Sequence, residues 1–257
     1  PMNDTLFSLS GRTAMVTGAS SGLGRTFASV LAAAGASVVL TGRRMELLEQ
    51  ACVEITSQGG EALAVNMDVT DENTVTQGFD EAERSCGCID ILVNNSGIAH
   101  GESALEIASS DWDRVIDTNL RGAWRVARES GKRLIKAGKP GSIINIASIL
   151  GFRVIKGVAP YAISKAGLVQ MTHSLALEWS RYAIRVNAIA PGFINTDMNR
   201  EFFKTEAGLS MQKRIPMRRV GDPDELAGAL LLLASDASSY MTGSVVTVDG
   251  GHLQSTL

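Results

Sequence analysis

Two side chains that could exchange a proton lie four residues apart in Tyr161-Ala-Ile-Ser-Lys165. The segment is predicted to be helical, and residues four apart share one face of a helix, so the Lys165 ammonium can approach the Tyr161 phenol. A phenol has an unperturbed pKa of about 10, and a neighbouring cation lowers that pKa because it stabilises the phenolate. The spacing therefore predicts that Tyr161 is a general acid or base.

Two polar residues earlier in the chain could complete such a site. Ser148 follows a predicted strand in Asn145-Ile-Ala-Ser148, and the carboxyl ends of parallel strands face the ligand crevice, so its hydroxyl can bind a substrate oxygen. Asn119 lies within a predicted long helix, where an amide has no helix-forming advantage. Each residue alone has an ordinary explanation, and only their combination indicates a catalytic site.

A glycine-rich turn, Thr17-Gly-Ala-Ser-Ser-Gly-Leu-Gly24, follows the first predicted strand and precedes an alanine-rich helix. Glycines allow a tight turn and a close approach of the backbone to a pyrophosphate. The start of the helix adds free N–H groups and a partial positive charge. The spacing differs from the standard G-x-G-x-x-G dinucleotide pattern. We expect a dinucleotide site here, with a plain tight turn as the alternative.

The end of the second predicted strand bears on which dinucleotide is bound. Thr41-Gly42-Arg43-Arg44 has no acid to hold a ribose 2′-hydroxyl, whereas arginine binds a 2′-phosphate well. This favours NADP(H) over NAD(H), the alternative being that both arginines are solvated, which suits Arg44 better than Arg43. Asp68, beyond the third strand, could accept from the adenine amino group or act as a cap or turn residue.

Seven short runs rich in β-branched residues alternate with helical stretches, which predicts an α/β fold with a parallel sheet. The runs cover residues 13–17, 36–41, 62–66, 89–93, 142–147, 184–189 and 244–248. We expect one domain over residues 1–257. Residues 195–221 show no clear periodicity, and a loop of that length predicts a substrate lid.

The composition describes a globular protein rather than a disordered one. Hydrophobic residues make up 45% of the 257 residues, and 24 basic against 27 acidic residues give a net charge of −3. The mild negative balance argues against a nucleic-acid partner. No apolar run approaches a membrane span, and no secretory signal is recognisable. The odd number of cysteines, with Cys86 and Cys88 at the wrong spacing for zinc or redox pairs, predicts free thiols in the cytoplasm.

Taken together, these motifs resemble those of the short-chain dehydrogenase/reductase family. Asn94-Asn-Ser-Gly97 is similar to the family's Asn-Asn-Ala-Gly motif, with Ser96 in place of alanine. Pro191-Gly-Phe-Ile-Asn-Thr196 is similar to the segment that lies against the nicotinamide. The resemblance extends to Val248-Asp-Gly-Gly251 near the end of the chain. It implies a Rossmann-type, doubly wound, seven-stranded parallel sheet, and an assembly that is a homotetramer or a homodimer.

The resemblance also implies roles for the residues. In reduction, Tyr161 protonates the oxygen of a carbonyl that receives hydride from NADPH, and Ser148 orients that oxygen. Lys165 holds the nicotinamide ribose and lowers the pKa of Tyr161, and Asn119 supports a water relay. No metal enters this scheme. The implied cofactor-binding residues are Gly18, Ser20, Ser21, Gly22, Leu23, Gly24, Arg43, Arg44, Asp68, Val69, Asn95, Ser96, Gly97, Tyr161, Lys165, Pro191, Gly192, Ile194 and Thr196.

Apolar side chains in residues 195–221 predict a pocket for a hydrophobic or mixed ketone, or else the buried faces of two short helices. They are Met198, Phe202, Phe203, Met211, Ile215 and Met217. Residues after Ser148 could also line the pocket, namely Ile149, Phe152, Arg153 and Val154. Arg153 could receive a carboxylate or phosphate of the substrate, or lie on the surface.

The resulting expectation is an NADP(H)-dependent oxidoreductase that interconverts a ketone and a secondary alcohol, most simply a ketoreductase of the 3-oxoacyl type. A sugar-acid or polyol dehydrogenase similar to gluconate 5-dehydrogenase is the alternative, and it would need more polar groups in the lid. A non-catalytic NADP-binding regulator is disfavoured because all four catalytic residues are present. A basic patch for an acidic carrier protein, or a solvated helix face, is formed by Lys132, Arg133, Lys136 and Lys139.

Overall fold

A computed structural model describes residues 6–196 and 199–255. Its centre is one sheet of seven parallel strands in the order β3-β2-β1-β4-β5-β6-β7. The strands are β1 (Thr13–Thr17), β2 (Ser37–Gly42), β3 (Glu61–Asn66), β4 (Ile91–Asn94), β5 (Gly141–Ile146), β6 (Ile184–Pro191) and β7 (Val245–Val248). All seven predicted strands are confirmed, with bounds that differ by at most about two residues, the usual scatter of such assignments.

Helices connect consecutive strands and cover both faces of the sheet. They are α1 (Gly22–Ala33), α2 (Met45–Ser57), α3 (Glu72–Cys86), α4 (Ser109–Ile116), α5 (Ala123–Ala137), α6 (Ala159–Trp179), α7 (Arg200–Lys204), α8 (Glu206–Gln212) and α9 (Ala227–Ala234). A π-helical turn, Asp117–Gly122, joins α4 to α5. The predicted Rossmann-type, doubly wound fold is confirmed.

The two faces of the sheet carry separate apolar cores. On one face Val16 and Leu40 pack with Phe27 of α1 and Leu230 of α9. On the other, Met15 packs with residues of α3, α5 and α6. Neighbouring residues of β1 thus point into different cores, which explains why its central residues Ala14, Met15 and Val16 are all apolar.

Buried amides connect the strands that lead to the site. The Asn94 side chain donates to Asn145 Oδ1 at 3.0 Å and to the carbonyl of Ala123 at 3.1 Å. Asn145 in turn donates to Thr172 Oγ1 of α6 at 2.9 Å. Because the amide N–H donors of Asn94 and Asn145 are buried and paired, they hold β4, β5 and α6 in one relative placement.

Within the described ranges, no helix combines the length and the apolar character that crossing a bilayer requires. The predicted lid contains two short helices, α7 and α8. The alternative that residues 195–221 contain two short helices is therefore confirmed, and the interpretation of the segment as one long loop is wrong in part. Short helices with few turns leave a weak periodic signal in the sequence.

Candidate active site

The glycine turn lies where the strand order reverses, between β1 and β4, at the carboxyl end of the sheet. Asn95, just after β4, donates to the carbonyls of Thr17 at 2.9 Å and Gly18 at 3.3 Å. A Cβ at Gly24 would lie 2.5 Å from Asn95 Nδ2, and Gly18 has φ +65°. Glycine is required at both positions, because Gly24 packs against the turn and Gly18 has left-handed backbone.

The turn leaves the start of α1 available to an anion. Ser21 precedes the helix but makes no side-chain cap. Gly22 has φ +56°, and a Cβ there would meet nothing within 4 Å. Leu23 packs its side chain against the core, so only its backbone is available. Unpaired N–H groups on an open helix start fit the pyrophosphate of a dinucleotide.

Both arginines after β2 lie beside this turn. Arg44 donates to Ser20 Oγ at 2.7 Å and to Ser21 Oγ at 2.8 Å. Arg43 has a side chain that is 73% exposed, with its guanidinium 3.8 Å from Asp68 Oδ2. Both arginines are exposed, and the hydrogen bonds of Arg44 to two serine hydroxyls of the turn are contacts that the sequence did not predict. Two guanidinium groups at this place fit a ribose 2′-phosphate.

Asp68 forms a turn of its own and faces Arg43. Its Oδ1 accepts from the Thr70 backbone N–H at 2.9 Å and from the Thr70 hydroxyl at 2.7 Å. Burial alone would raise the pKa of Asp68, but the Thr70 hydrogen bonds and the charges of Arg43 and Arg125 outweigh it and hold that pKa below its usual value. The turn interpretation is confirmed, and Oδ2 contacts the Arg43 guanidinium. Val69 is a buried core residue.

Ser148, Tyr161 and Lys165 converge at the end of β5. Ser148 follows the strand and caps a short 3₁₀ turn through Leu150 N–H at 3.1 Å. Lys165 is 4% exposed and donates to the Ile146 carbonyl at 2.7 Å. Its Nζ lies 5.6 Å from the centre of the Tyr161 ring. The helical spacing of Tyr161 and Lys165 therefore places both side chains beside Ser148, as predicted.

The pKa values of Tyr161 and Lys165 differ in part from those that the sequence predicts. Burial raises the pKa of Tyr161, and a hydrogen bond with Ser148 opposes that rise. Burial lowers the pKa of Lys165 to about 8. The expected lowering of the Tyr161 pKa by Lys165 is not found, since burial outweighs the influences that lower this pKa. Tyr161 is therefore a neutral phenol at neutral pH in this structure.

Asn119 occupies the π-helical turn between α4 and α5, not the regular helix that the sequence predicts. Its amide donates to the Ile98 carbonyl at 2.8 Å and to Ser164 Oγ at 3.1 Å, while Oδ1 accepts from Ile98 N–H at 2.8 Å. Ser164 also donates to the Tyr161 carbonyl at 2.7 Å. Asn119 is thus joined through Ser164 to the helix that carries Tyr161 and Lys165. Single π turns are frequent at functional sites.

The segments after β4 and β6 form the remaining walls. A Cβ at Gly97 would lie 3.4 Å from Asn119 Oδ1 and 3.6 Å from Lys165 Nζ, so this backbone passes close to both. Ser96 abuts Gly18, with its Oγ 3.0 Å from where a Cβ of Gly18 would lie.

After β6, which ends at Pro191, the chain is fixed by Gly192 packing on Asp249. Asn199 then bonds to Ile194 O at 2.9 Å and to Thr196 N–H at 2.8 Å. The predicted cofactor-binding positions after β4 and β6 therefore border the same crevice at the carboxyl end of the sheet.

A cleft of about 840 Å³, which we call the cleft beyond Ser148, is lined by Ile149 and Leu150, the two residues that follow Ser148 in the chain. Ile149, Arg153, Val154 and Ile215 line it as expected. Phe203 is instead buried against Phe193 at a ring distance of 6.3 Å, and Met217 is 65% exposed. Phe152 and Phe202 are exposed, Met211 is partly buried, and Met198 lies outside the described residues. The apolar lining that the sequence predicts is present only in part.

Sequence reasoning missed most of the polar residues of this cleft. They are Lys213, Arg214, Arg218, His252, Gln254 and Ser255. The sequence does contain a signal for this polar lining, because the basic pairs Lys213-Arg214 and Arg218-Arg219 lie within residues 195–221. The prediction for that segment rests only on its apolar side chains. Arg153 also has a structural role, since it donates to the His252 carbonyl at 2.6 Å and to Ser255 Oγ at 2.8 Å.

The predicted basic patch on α5 is not a basic surface. Arg133 donates to Asp80, Glu83 and Glu129 at 2.7–2.8 Å. Lys132 and Lys136 line the same shallow cavity as these three acids. Neutralised charges of this kind do not attract an acidic carrier protein, so the helix-face alternative fits better.

One further cluster bears on the prediction that no metal takes part, which stays a prediction. His100, Glu102 and Asp111 bring their ligand atoms within 4.8 Å of one another. Arg114 donates to Asp111 at 2.9 Å, and His100 lies 3.1 Å from Glu102. The cluster is thus already supplied with hydrogen-bonding and charged partners.

Comparisons with known proteins agree with this geometry. A family model described as enoyl-(acyl carrier protein) reductase matches residues 18–252. Gluconate 5-dehydrogenase from Gluconobacter oxydans is 39% identical over 247 residues, which are 96% of each chain. A 3-oxoacyl-[acyl-carrier-protein] reductase from Aquifex aeolicus is 38% identical over 244 residues, which are 95% of this chain and 98% of the relative.

Solved structures show the same likeness. The crystal structure of a gluconate 5-dehydrogenase from Burkholderia cenocepacia, in complex with NADP and tartrate, superposes with a TM-score of 0.93 at 36% identity and covers 98% of each chain. The family model and the relatives thus span nearly the whole sequence, motifs and sheet included. The chain belongs to the short-chain dehydrogenase/reductase family of oxidoreductases.

Proposed function

We propose that this protein is an NADP(H)-dependent oxidoreductase that interconverts a ketone and a secondary alcohol. The observation that carries the proposal is the convergence of Ser148, Tyr161 and Lys165 at the end of β5, beside an open helix start that fits a pyrophosphate. A proton donor and an oxygen-binding hydroxyl at one place can act on one carbonyl.

Each side chain has a role that follows from its environment. When bound, the nicotinamide supplies or accepts a hydride at the substrate carbon. Tyr161, whose raised pKa keeps it protonated, donates its proton to the carbonyl oxygen in reduction. Ser148 binds the same oxygen and stabilises the charge that develops on it. In oxidation Tyr161 must first lose its proton, so that direction is favoured at higher pH.

Lys165 and Asn119 support these two groups. A pKa of about 8 leaves Lys165 mainly protonated at neutral pH, and its remaining N–H groups can bind ribose hydroxyls. Asn119 holds the Ile98 backbone and Ser164, which fixes the wall opposite Lys165. A water held at this wall would return the proton to Tyr161.

The choice of NADP(H) rests on Arg43 and Arg44. Arg44 bonds to both serines of the glycine turn, Arg43 precedes it directly after β2, and the sequence has no carboxylate at the end of β2 where a ribose 2′-hydroxyl would be bound. A relative solved with NADP supports the same choice. Asp68 lies 3.8 Å from the Arg43 guanidinium, and its second proposed role is to accept a hydrogen bond from the adenine amino group.

The substrate class has two candidates. A 3-oxoacyl thioester is the first, supported by the reductase from Aquifex aeolicus. A sugar acid is the second, favoured by the polar and charged side chains of the cleft and by the relatives named gluconate 5-dehydrogenase. We also expect residues 195–221 to act as the substrate lid of a single domain, and the protein to be a cytoplasmic homotetramer or homodimer.

The experiment that tests the function replaces Tyr161 with phenylalanine. Oxidation of NADPH and NADH is followed with a panel of ketones, and the reverse reaction with alcohols. We expect Tyr161→Phe to lower kcat by about 10³-fold and to leave the Kd for NADPH unchanged. Tyr182→Phe is the matched control, because that hydroxyl is partly exposed and bonds to Arg181. Activity retained in Tyr161→Phe would contradict the proposal, and wild-type preference for NADH would contradict the cofactor assignment.

A further inference from the structure

Four cations line the cleft beyond Ser148, and no acid lines it among the described residues. They are Arg153, Lys213, Arg214 and Arg218. They come from two walls, since Arg153 follows the short 3₁₀ turn after Ser148 and the other three follow α8. The cleft volume of about 840 Å³ lies within the range of small-molecule sites, about 300–1,000 Å³.

None of these cations is in an ion pair within residues 6–196 and 199–255. Arg153 donates to the His252 carbonyl and to Ser255 Oγ, and Arg218 donates to the Lys213 carbonyl. These acceptors are neutral. The nearby acid Asp249 accepts from the backbone N–H groups of Gly251 at 2.8 Å and Leu253 at 2.6 Å, so it is engaged elsewhere.

His252 reports the positive field of the cleft. Burial lowers the pKa of His252, and the charges of Arg153 and Arg214 lower it further against the opposing charge of Asp249. Its Nδ1 is buried without a hydrogen-bonding partner in the described part of the chain. The ring packs on Phe193 at a centroid distance of 5.5 Å, which fixes this nitrogen within the wall.

Positive groups gathered without counter-charges repel one another, and a bound anion relieves that repulsion. Guanidinium groups bind carboxylates and phosphates with two parallel hydrogen bonds. Arg214 is exposed and makes no side-chain hydrogen bond within the described residues, whereas Arg153 and Arg218 already hold backbone carbonyls. Arg214 is therefore the guanidinium most available to a ligand.

We propose that this group of four cations binds the anionic group of the substrate, a carboxylate or a phosphate, with Arg214 as the principal ligand. The inference rests on the proposed function for its statement that the bound molecule is the substrate. A carboxylate would belong to a small oxo acid or hydroxy acid. A phosphate would belong to the coenzyme A or pantetheine arm of a thioester.

Binding measured in the Tyr161→Phe background tests the inference without turnover. The variant is saturated with NADP⁺ and titrated by calorimetry with D-gluconate, its uncharged counterpart sorbitol, and coenzyme A. We expect gluconate to bind at least about tenfold more tightly than sorbitol, or coenzyme A to show the tight binding instead. Whichever anion binds identifies the source of the charge. Equal binding of gluconate and sorbitol, together with no binding of coenzyme A, would overturn the proposal.

Single-residue changes then assign the binding to the cleft. Arg214→Gln should raise the Kd of the anion about tenfold, because a hydrogen bond to a charged group is lost. Arg181→Gln is the control, since Arg181 is an exposed arginine that contacts Tyr182 and does not line the cleft. An equal effect of both changes would refute the assignment to Arg214.

Turnover by the wild-type enzyme tests the proposed function separately from the anion site. If no ketone or alcohol in the panel reacts while gluconate or coenzyme A binds through Arg214, the anion site stands and the proposed function fails. If uncharged ketones react and Arg214→Gln changes no anion affinity, the function stands and this inference fails.

Discussion

Two largely buried cations, Arg133 and Lys165, have opposite kinds of surroundings. Arg133 of α5 has a side chain that is 17% exposed and is surrounded by Asp80, Glu83 and Glu129. Burial alone would lower its pKa, but the hydrogen bonds to these acids raise it above the usual value. Lys165 of α6 has no acid beside it among the described residues; it donates to the Ile146 carbonyl and lies over the Tyr161 ring, and burial lowers its pKa to about 8.

This difference indicates that the charge of Arg133 stabilises the fold, whereas the charge of Lys165 is available for catalysis. A cation enclosed by acids has its bonding capacity filled, and breaking such a group destabilises the fold. A buried cation without a neighbouring acid lowers the stability of the fold, and such cations are typical of functional sites. The same contrast distinguishes the acid-balanced cavity on α3 and α5 from the cleft beyond Ser148.

The largest expected effect on stability comes from removing the enclosed cation. Arg133→Met leaves Glu129 and its two neighbouring acids facing one another without a counter-charge. We expect a loss of about 2–3 kcal/mol in the free energy of unfolding, and a fall in Tm of roughly 4–10 °C. Urea and thermal unfolding measure both, and kcat should not change because Arg133 lies outside the crevice.

The matched control for this change is Lys132→Met, which removes a charge from the neighbouring position of α5, where the side chain is exposed. Its expected effect is within about 0.5 kcal/mol. An Arg133→Met variant as stable as Lys132→Met would show that the three acids contribute nothing to the fold.

A smaller effect of opposite sign is expected for Lys165→Met. Below pH of about 8 the lysine is protonated in the folded and unfolded chain, so the cost of burying its charge is fully present. Between about 8 and the ordinary lysine value of 10.5 the unfolded chain binds the proton and the folded chain does not, so wild-type stability rises with pH. At pH 7 we expect Lys165→Met to be more stable by about 1 kcal/mol, after the lost hydrogen bond to Ile146 is subtracted, and to have little activity.

That advantage should decline as the pH is raised from 8 towards 10.5, which urea unfolding at pH 7 and pH 9.5 would detect. Lys132→Met again serves as the comparison, because an exposed lysine should give no such pH dependence. A Lys165→Met variant less stable than wild type at pH 7 would mean that the buried ammonium stabilises the fold.

The smallest effect is expected for an ion pair on the surface. Arg219 contacts Glu225 at 2.6 Å, and this hydrogen bond lowers the pKa of Glu225 to about 2. Exposed pairs contribute little to stability because water and salt screen them. Arg219→Gln should raise the Glu225 pKa in an NMR titration while the urea midpoint stays within experimental error. A clear fall in the urea midpoint would contradict the expectation that an exposed ion pair contributes less to stability than an enclosed one.

What the sequence predicted well depended on local spacing. The strands were found because parallel strands buried on both faces are nearly continuously apolar. Tyr161 and Lys165 were found because a helix places residues four apart on one face. The Arg133 group could not be found this way, since Asp80 lies 53 residues and Glu83 50 residues away in the chain. The π turn at Asn119 and the meeting of Arg153 with Arg214 likewise depend on tertiary packing.

The bonds from Asn95 to the carbonyls of Thr17 and Gly18 have a consequence for how a dinucleotide is received. These bonds join the residue after β4 to the glycine turn after β1, and both their donors and their acceptors are groups of the protein itself. The conformational entropy of that loop is therefore lost when the chain folds rather than when a nucleotide docks. A preorganised cradle of this kind lowers the entropic cost of binding the oxidised and the reduced nucleotide alike, so it strengthens the binding of both.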